Sequence, residues 1–137
     1  MLAAIERKIG KPVTTSYAAS VIIPTYRRRD MVRQILQALA MQTLPAAAYE
    51  VIVSIDGSED GTREMVAHFQ APYALRFAWQ PNRGRAAACN TGIRMASGEL
   101  IILLDDDMEP PPEFLRAHVN AHARACLLYT SPSPRDS

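Results

Sequence analysis

No apolar stretch of this sequence approaches the roughly 18 residues that a membrane-spanning helix needs. Its opening, MLAAIERKIGKP, also lacks the apolar centre of a secretory signal. Cysteine is scarce: Cys89 and Cys126 are the only two. They are too few for a disulfide framework and are not spaced as metal ligands. Neither sign of charge is in excess, since 15 Lys and Arg against 14 Asp and Glu leave a formal +1. That balance removes the electrostatic case for a nucleic-acid partner. The expectation is a reduced, cytoplasmic protein, with membrane association left open for a longer chain. What remains is an ordinary globular composition, 48% apolar over 137 residues, enough for one domain with a proper core.

Against that background one stretch stands out. Leu100-Ile101-Ile102-Leu103-Leu104 runs directly into Asp105-Asp106-Asp107. A continuous apolar run reads as a strand buried on both faces. Burying free carboxylates is costly, so the three acids mark where that strand leaves the core. They fall at its carboxyl end, where open α/β sheets bind ligands. Adjacent negative charges repel, and hard oxygen donors suit Mg²⁺ or Mn²⁺ bridging to a phosphate. Two readings follow from these residues alone: a metal–diphosphate site, or a solvated acidic turn.

Three further apolar runs precede it. Ser20–Ile23 is a short strand that Pro24 should stop. Asp30 then stands as an N-cap, with Met31, Ile35, Leu36 and Leu39 at helical spacing until Pro45. Val51–Ile55 is a second strand, and Gly61-Thr62 leads into a helix carrying Met65, Val66 and Phe69. Leu75–Trp79 alternates like a more exposed strand. Ala86–Met95 is helix-forming and stops at Ser97-Gly98. Pro110-Pro111-Pro112 sets a favourable start for a last helix with Phe114, Leu115 and Val119. Strands alternating with helices predict an α/β fold with a mainly parallel, Rossmann-like sheet flanked by helices.

Polar residues gather after each strand. Pro24, Thr25, Tyr26, Arg27, Arg28 and Arg29 follow the first. Hydroxyls and guanidinium groups on a proline-fixed loop can border a base and its phosphates. A plain basic turn at a helix start is the other reading, although cations are mildly unfavourable there. Asp56-Gly57-Ser58 and Asp60-Gly61-Thr62 follow the second strand, and alone are ordinary turn chemistry. Asn82-Arg83-Gly84-Arg85 opens the next helix, where backbone N–H groups and Arg85 could face an anion.

The order of these stretches is specific. IPTYRR, IDGSEDGT, NRGRAAACNTGI and LLDDDM, spread between about Ser20 and Ala123, resemble the N-terminal half of family-2 glycosyltransferases. The resemblance implies a GT-A fold, a nucleotide-diphosphate-sugar donor, Mn²⁺ or Mg²⁺, and inverting transfer to an acceptor hydroxyl on a saccharide, lipid or other molecule. It places Pro24, Thr25 and Tyr26 in the loop around the base, and Asp56 against base or ribose. Asp105 and Asp107 match the outer acids of a D-x-D motif. Asp107 is the first choice for metal, with Asp105 or Asp106 beside it for ribose or metal support. Arg28 and Arg85 complete the implied donor site.

Two positions depart from the family pattern. Ile55 stands where many members have the first of two acids, and Cys89 where many have arginine. The second change leaves Arg85 or Arg83 to supply a cation near the phosphates. The family's catalytic base lies in its C-terminal half, so neither Glu109 nor Glu113 is assigned that role. Residues 19–125 are expected to be a donor-binding half domain and 1–18 an N-terminal extension. From Cys126 the chain reads CLLYTSPSPRDS, with no regular period. That segment resembles the conceptual translation of a transposase adaptor, so residues 126–137 are expected to be non-native, a disordered linker being the alternative. Rival classes for the whole are a nucleotidyltransferase and a non-catalytic nucleotide-sugar-binding module.

Overall fold

The computed structural model describes residues 17–130. Four strands, β1 (Ala19–Thr25), β2 (Tyr49–Asp56), β3 (Ala74–Gln80) and β4 (Leu100–Leu103), form one sheet in the order β3-β2-β1-β4. Every pairing is parallel: Ala19 lies opposite Tyr49 and Leu100, and Glu50 opposite Ala74. The helices are α1 (Arg29–Leu39), α2 (Thr62–His68), α3 (Arg85–Met95) and α4 (Phe114–Thr130), with a single 3₁₀ turn at Ala46–Ala48. The predicted α/β class and parallel sheet are as found.

Successive strand residues point to opposite faces, and the two faces carry different layers. Val21, Ile23, Val51, Val53 and Ile102 pack with Val32, Ile35, Leu36 and Leu39 of α1, Val66 of α2 and Leu115 of α4. On the other face Ile22, Ile52 and Ile101 meet Ile93 and Met95 of α3. Here α3 comes so close to β1 that a Cβ on Gly92 would lie 2.4 Å from Ile22 Cγ2. Burial on both faces explains why the apolar runs are continuous. At the last turn of α1 the Tyr49 hydroxyl donates to Leu39 O and the Tyr73 hydroxyl to Leu36 O, both at 2.6 Å, the latter carbonyl also taking the Ala40 N–H at 3.2 Å.

Several boundaries differ from the sequence expectation. Pro24 does not stop β1, which pairs through Thr25 with Ile55. Backbone N–H and C=O of one strand residue face the same neighbour. Ile22 O accepts the Leu104 N–H at 2.9 Å, so Pro24, two residues on, faces the β4 side. There β4 has ended at Leu103, and the missing N–H costs no ladder bond. Asp30 is not the N-cap of α1: Arg28 holds that position without a side-chain cap, and Asp30 sits in the first turn. The helix ends at Leu39, well before Pro45, and Phe69 lies one residue beyond α2 in extended conformation. Among the described residues β4 is an outer strand, although Leu100, Ile101 and Ile102 are buried. α4 continues past Cys126 to Thr130. Residues 1–16 and 131–137, most of the expected extension and tail, lie outside the described residues.

At the amino end of the sheet a buried carboxylate ties three strands together. Glu50 accepts bonds from Ser20 Oγ at 2.7 Å, Arg76 at 2.9 Å and the Ser97 N–H at 2.7 Å. Ser20 Oγ in turn accepts the Gly98 N–H at 2.8 Å. The turn between α3 and β4 is thereby fixed to β1 and β2, with the buried charge fully partnered.

Candidate functional site

The opposite, carboxyl ends of the strands carry the site, as parallel α/β sheets dictate. Asp56, last residue of β2, is buried and faces the start of α3. Its Oδ1 accepts the Arg83 N–H at 2.8 Å and its Oδ2 the Gly84 N–H at 2.9 Å. Gln80, last residue of β3, donates to Oδ1 at 3.3 Å and is itself held by the Thr91 hydroxyl at 2.6 Å. Gly57 follows at φ +84°, and a Cβ there would lie 2.7 Å from Asn82 N. Only glycine suits both the backbone angle and the close approach. Ser58 then accepts the Arg27 N–H on Oγ at 2.7 Å and the Trp79 indole N–H on its carbonyl at 2.9 Å. The D-G-S segment thus joins the loops on either side of it.

After β1, Tyr26 is exposed, and the Arg27 guanidinium lies over its ring at 5.0 Å. Arg27 is the one non-glycine residue at positive φ among the described residues, 58°, held there by Ser58. Arg28 reaches Asp106, with Nε 3.6 Å from Oδ1. Asp60 belongs to a different task. It accepts the Thr62 hydroxyl at 2.5 Å and N–H at 3.2 Å, and the Arg29 N–H at 3.3 Å. Burial pushes its carboxyl up, but these bonds outweigh burial and hold it below the ordinary carboxylate value.

The three acids after β4 separate sharply. Asp106 is only 13% exposed and accepts the Thr25 hydroxyl at 2.9 Å. Asp105 is half exposed and pairs with Arg85. Asp107 is exposed, with no hydrogen bond or ion pair among the described residues.

These side chains enclose a cleft of about 210 Å³ lined by Pro24, Thr25, Tyr26, Arg28, Asp56, Arg85, Ala88 and Asp106. Seven of the residues singled out from sequence therefore meet. Asp105 touches the cleft through Arg85, and Asp107 stands outside its lining. Arg85, not Arg83, is the cation at the α3 edge. Ile55 is wholly buried on the α1 side of the sheet, so an acid missing there takes nothing from the cleft. Ala88 escaped the sequence reading; the Ala86-Ala87-Ala88 run, with no bulk to fill a cleft, was the available signal. Ser54 donates to the Ala88 carbonyl at 2.6 Å and seats this turn of α3 on β2.

Among the described residues no three His, Cys, Asp or Glu side chains converge as a metal cage. A small divalent cation that keeps its waters and binds substrate phosphates needs only one or two carboxylates. The open carboxylate of Asp107, with Asp105 two residues away, fits that requirement.

Residues 20–134 match the sequence profile of Glycosyl transferase family 2. The chain is 36% identical over 116 residues to validoxylamine A glucosyltransferase of Streptomyces hygroscopicus subsp. jinggangensis, covering 82% of this chain and 28% of that protein. Among solved structures it resembles S. aureus TarS 1-349 in complex with UDP-GlcNAc, with a TM-score of 0.72 at 28% identity over 77% of this chain and 31% of that one. It also resembles mannosyltransferase PcManGT from Pyrobaculum calidifontis in complex with GDP-Man and Mn²⁺, with a TM-score of 0.69 at 29% identity. That match covers 83% of this chain and 35% of the mannosyltransferase.

Proposed function

The chain belongs to glycosyl transferase family 2, and from that premise we propose that its cleft receives the donor of an inverting, metal-dependent glycosyltransferase. The donor is a nucleotide-diphosphate sugar, and the acceptor hydroxyl belongs to a saccharide, a lipid or another molecule. One observation carries the reading. Thr25, Asp56, Arg85 and Asp106, from four separate stretches of the chain, converge on one cleft at the carboxyl ends of a parallel sheet. The complexes of TarS with UDP-GlcNAc and of PcManGT with GDP-Man and Mn²⁺ support this class of donor.

Within that reading Pro24, Thr25 and Tyr26 border the base, and Asp56 offers its remaining acceptor capacity to base or ribose. Asp106, oriented by Thr25 and Arg28, faces the ribose. Arg85 stands at the start of α3 and serves the diphosphate as a fixed cation. Asp107, assisted by Asp105, would hold Mn²⁺ or Mg²⁺, which when bound would offset the charge of the leaving diphosphate. The base that takes the acceptor proton is assigned to none of the residues here. Glu113 is engaged by the Thr43 hydroxyl at 3.0 Å. Residues 19–125 act as the donor-binding part of a GT-A domain, in a cytoplasmic setting. Purified alone, the chain is expected to give no sugar transfer.

Calorimetry with UDP, GDP and their sugars, with and without Mn²⁺, tests this reading. Binding that tightens with Mn²⁺ supports it, and binding of none of these nucleotides overturns it. Transfer from a labelled donor by a full-length protein separates an enzyme from a nucleotide-sugar-binding module.

A further inference from the structure

Asp107 makes no side-chain contact of its own among the described residues. Its backbone sits in a turn closed by the Met108 N–H to Asp105 O at 3.2 Å, so the direction of its carboxylate depends on what holds that turn from either side. Residues 104–113 connect β4 to α4, and Asp107, Met108 and Glu109 are all exposed in the middle of that connection. Its first end is fixed by the Leu104 N–H to Ile22 O and by Thr25 to Asp106. Its second end is fixed by two residues just beyond α1. Gln42 Nε2 donates to Pro111 O at 2.8 Å, and Gln42 Oε1 accepts the Leu115 N–H at 2.9 Å. The Thr43 N–H donates to Pro112 O at 2.9 Å, and the Arg116 guanidinium donates to Thr43 O at 2.6 Å. Pro111 and Pro112 thus form the second anchor themselves, Pro110 stands just before it, and the locked φ angles of all three give that end of the segment little slack.

We propose that Gln42 and Thr43 form a latch that positions the Asp107 carboxylate. Gln42 holds both polarities of the second anchor with one amide, the Pro111 carbonyl and the first turn of α4. The stiff proline segment carries that restraint back to the acid run. Gln42 is a positioning residue: it lines no part of the cleft and acts through the connection. The inference rests on Asp107 holding the cation, as set out above.

The variant Gln42→Glu separates latch from scaffold. A carboxylate there still accepts the Leu115 N–H and suits a helix start, but it cannot donate to the Pro111 carbonyl or to Ala38 O, which the Gln42 amide also reaches at 3.3 Å. In the full chain we expect Gln42→Glu to stay folded with a lowered melting temperature, since its carboxylate faces two carbonyl oxygens, and to bind UDP or GDP equally well in chelator. The tightening produced by Mn²⁺ falls measurably, by less than the about tenfold or more lost when a group bonded directly to a metal ligand is removed. Backbone amide exchange across residues 105–109 speeds up in the same variant. Gln42→Met, which loses all three side-chain bonds, lowers the Mn²⁺ effect at least as far. An undiminished Mn²⁺ effect in Gln42→Glu overturns the latch, as does an equal loss with and without Mn²⁺. If the wild type shows no Mn²⁺ effect, the metal reading fails instead, and amide exchange alone then decides whether Gln42 holds the connection.

Discussion

The Asp56 carboxylate accepts the Gly84 backbone N–H at 2.9 Å, so the end of one strand fixes the beginning of the helix across the cleft. Arg83 donates to the other oxygen. An amide in place of the acid offers one acceptor and sets an NH₂ against an N–H donor. Asp56→Asn is expected to cost about 1–3 kcal/mol in denaturant unfolding. It should also speed amide exchange at Arg83 and Gly84 and weaken nucleotide binding.

Arg85 and Asp105 form an ion pair in which both side chains are about half exposed, 55% and 52%. Such pairs contribute at most about 1 kcal/mol to stability. Arg85→Gln should therefore leave the melting temperature almost unchanged. Affinity for UDP or GDP should fall about tenfold, equal to about 1.4 kcal/mol, and should depend less on salt. A large drop in stability with unchanged affinity would make Arg85 a scaffold residue.

Asp107→Ala removes an exposed side chain that touches no partner among the described residues. Unfolding should be unaffected. Nucleotide binding in chelator should also persist, while the tightening by Mn²⁺ disappears. Metal-independent binding in the wild type would contradict the role given to Asp107.

Gly57→Ala tests the close approach between the D-G-S segment and Asn82. The new Cβ meets a backbone nitrogen at 2.7 Å from a left-handed backbone. Loss of more than about 1 kcal/mol is expected in unfolding experiments. Nucleotide affinity should drop with it, because Asp56 is the preceding residue.

Alkaline pH offers a test of the α1 end. Burial raises the Tyr49 hydroxyl above its usual value, and burial together with the neighbouring Tyr49 raises Tyr73 further. In the unfolded chain both ionise near pH 10. Their contribution is complete below that pH and is lost as pH climbs from about 10 toward the folded values. Melting temperature should accordingly fall above about pH 10. Phenylalanine at both positions should flatten that fall and cost about 1 kcal/mol per hydrogen bond at neutral pH.

Much of this fold was legible because its strands are buried on both faces. Val21-Ile22-Ile23 and Val51-Ile52-Val53 carry their position in composition alone. Strand ends were less legible, since they depend on the neighbour. Pro24 remains in β1 only because β4 has already stopped beside it. Asp30 looked like a cap by residue type, yet the chain turns into α1 at Arg28 because Ser58 and Asp60 hold the preceding loop. The cleft residues were legible as strand-end clusters. Glu50 was not: its partners Ser20, Arg76 and Ser97 lie 26–47 residues away, and nothing local marks a buried carboxylate. Nor does sequence distinguish three consecutive identical acids from one another.

That last ambiguity is resolved by the β1–β4 register. With Ile22 opposite Leu103, position 106 meets Thr25, position 105 meets Arg85, and position 107 is left facing water. Deleting the codon for any one of the three acids yields the same polypeptide. In every such deletant the ladder would refill positions 105 and 106 first and bring Met108 into the third place. Three distinct genetic lesions would thus share a single chemical outcome, a cleft with its Thr25-bound acid intact and its outermost carboxylate replaced by a thioether.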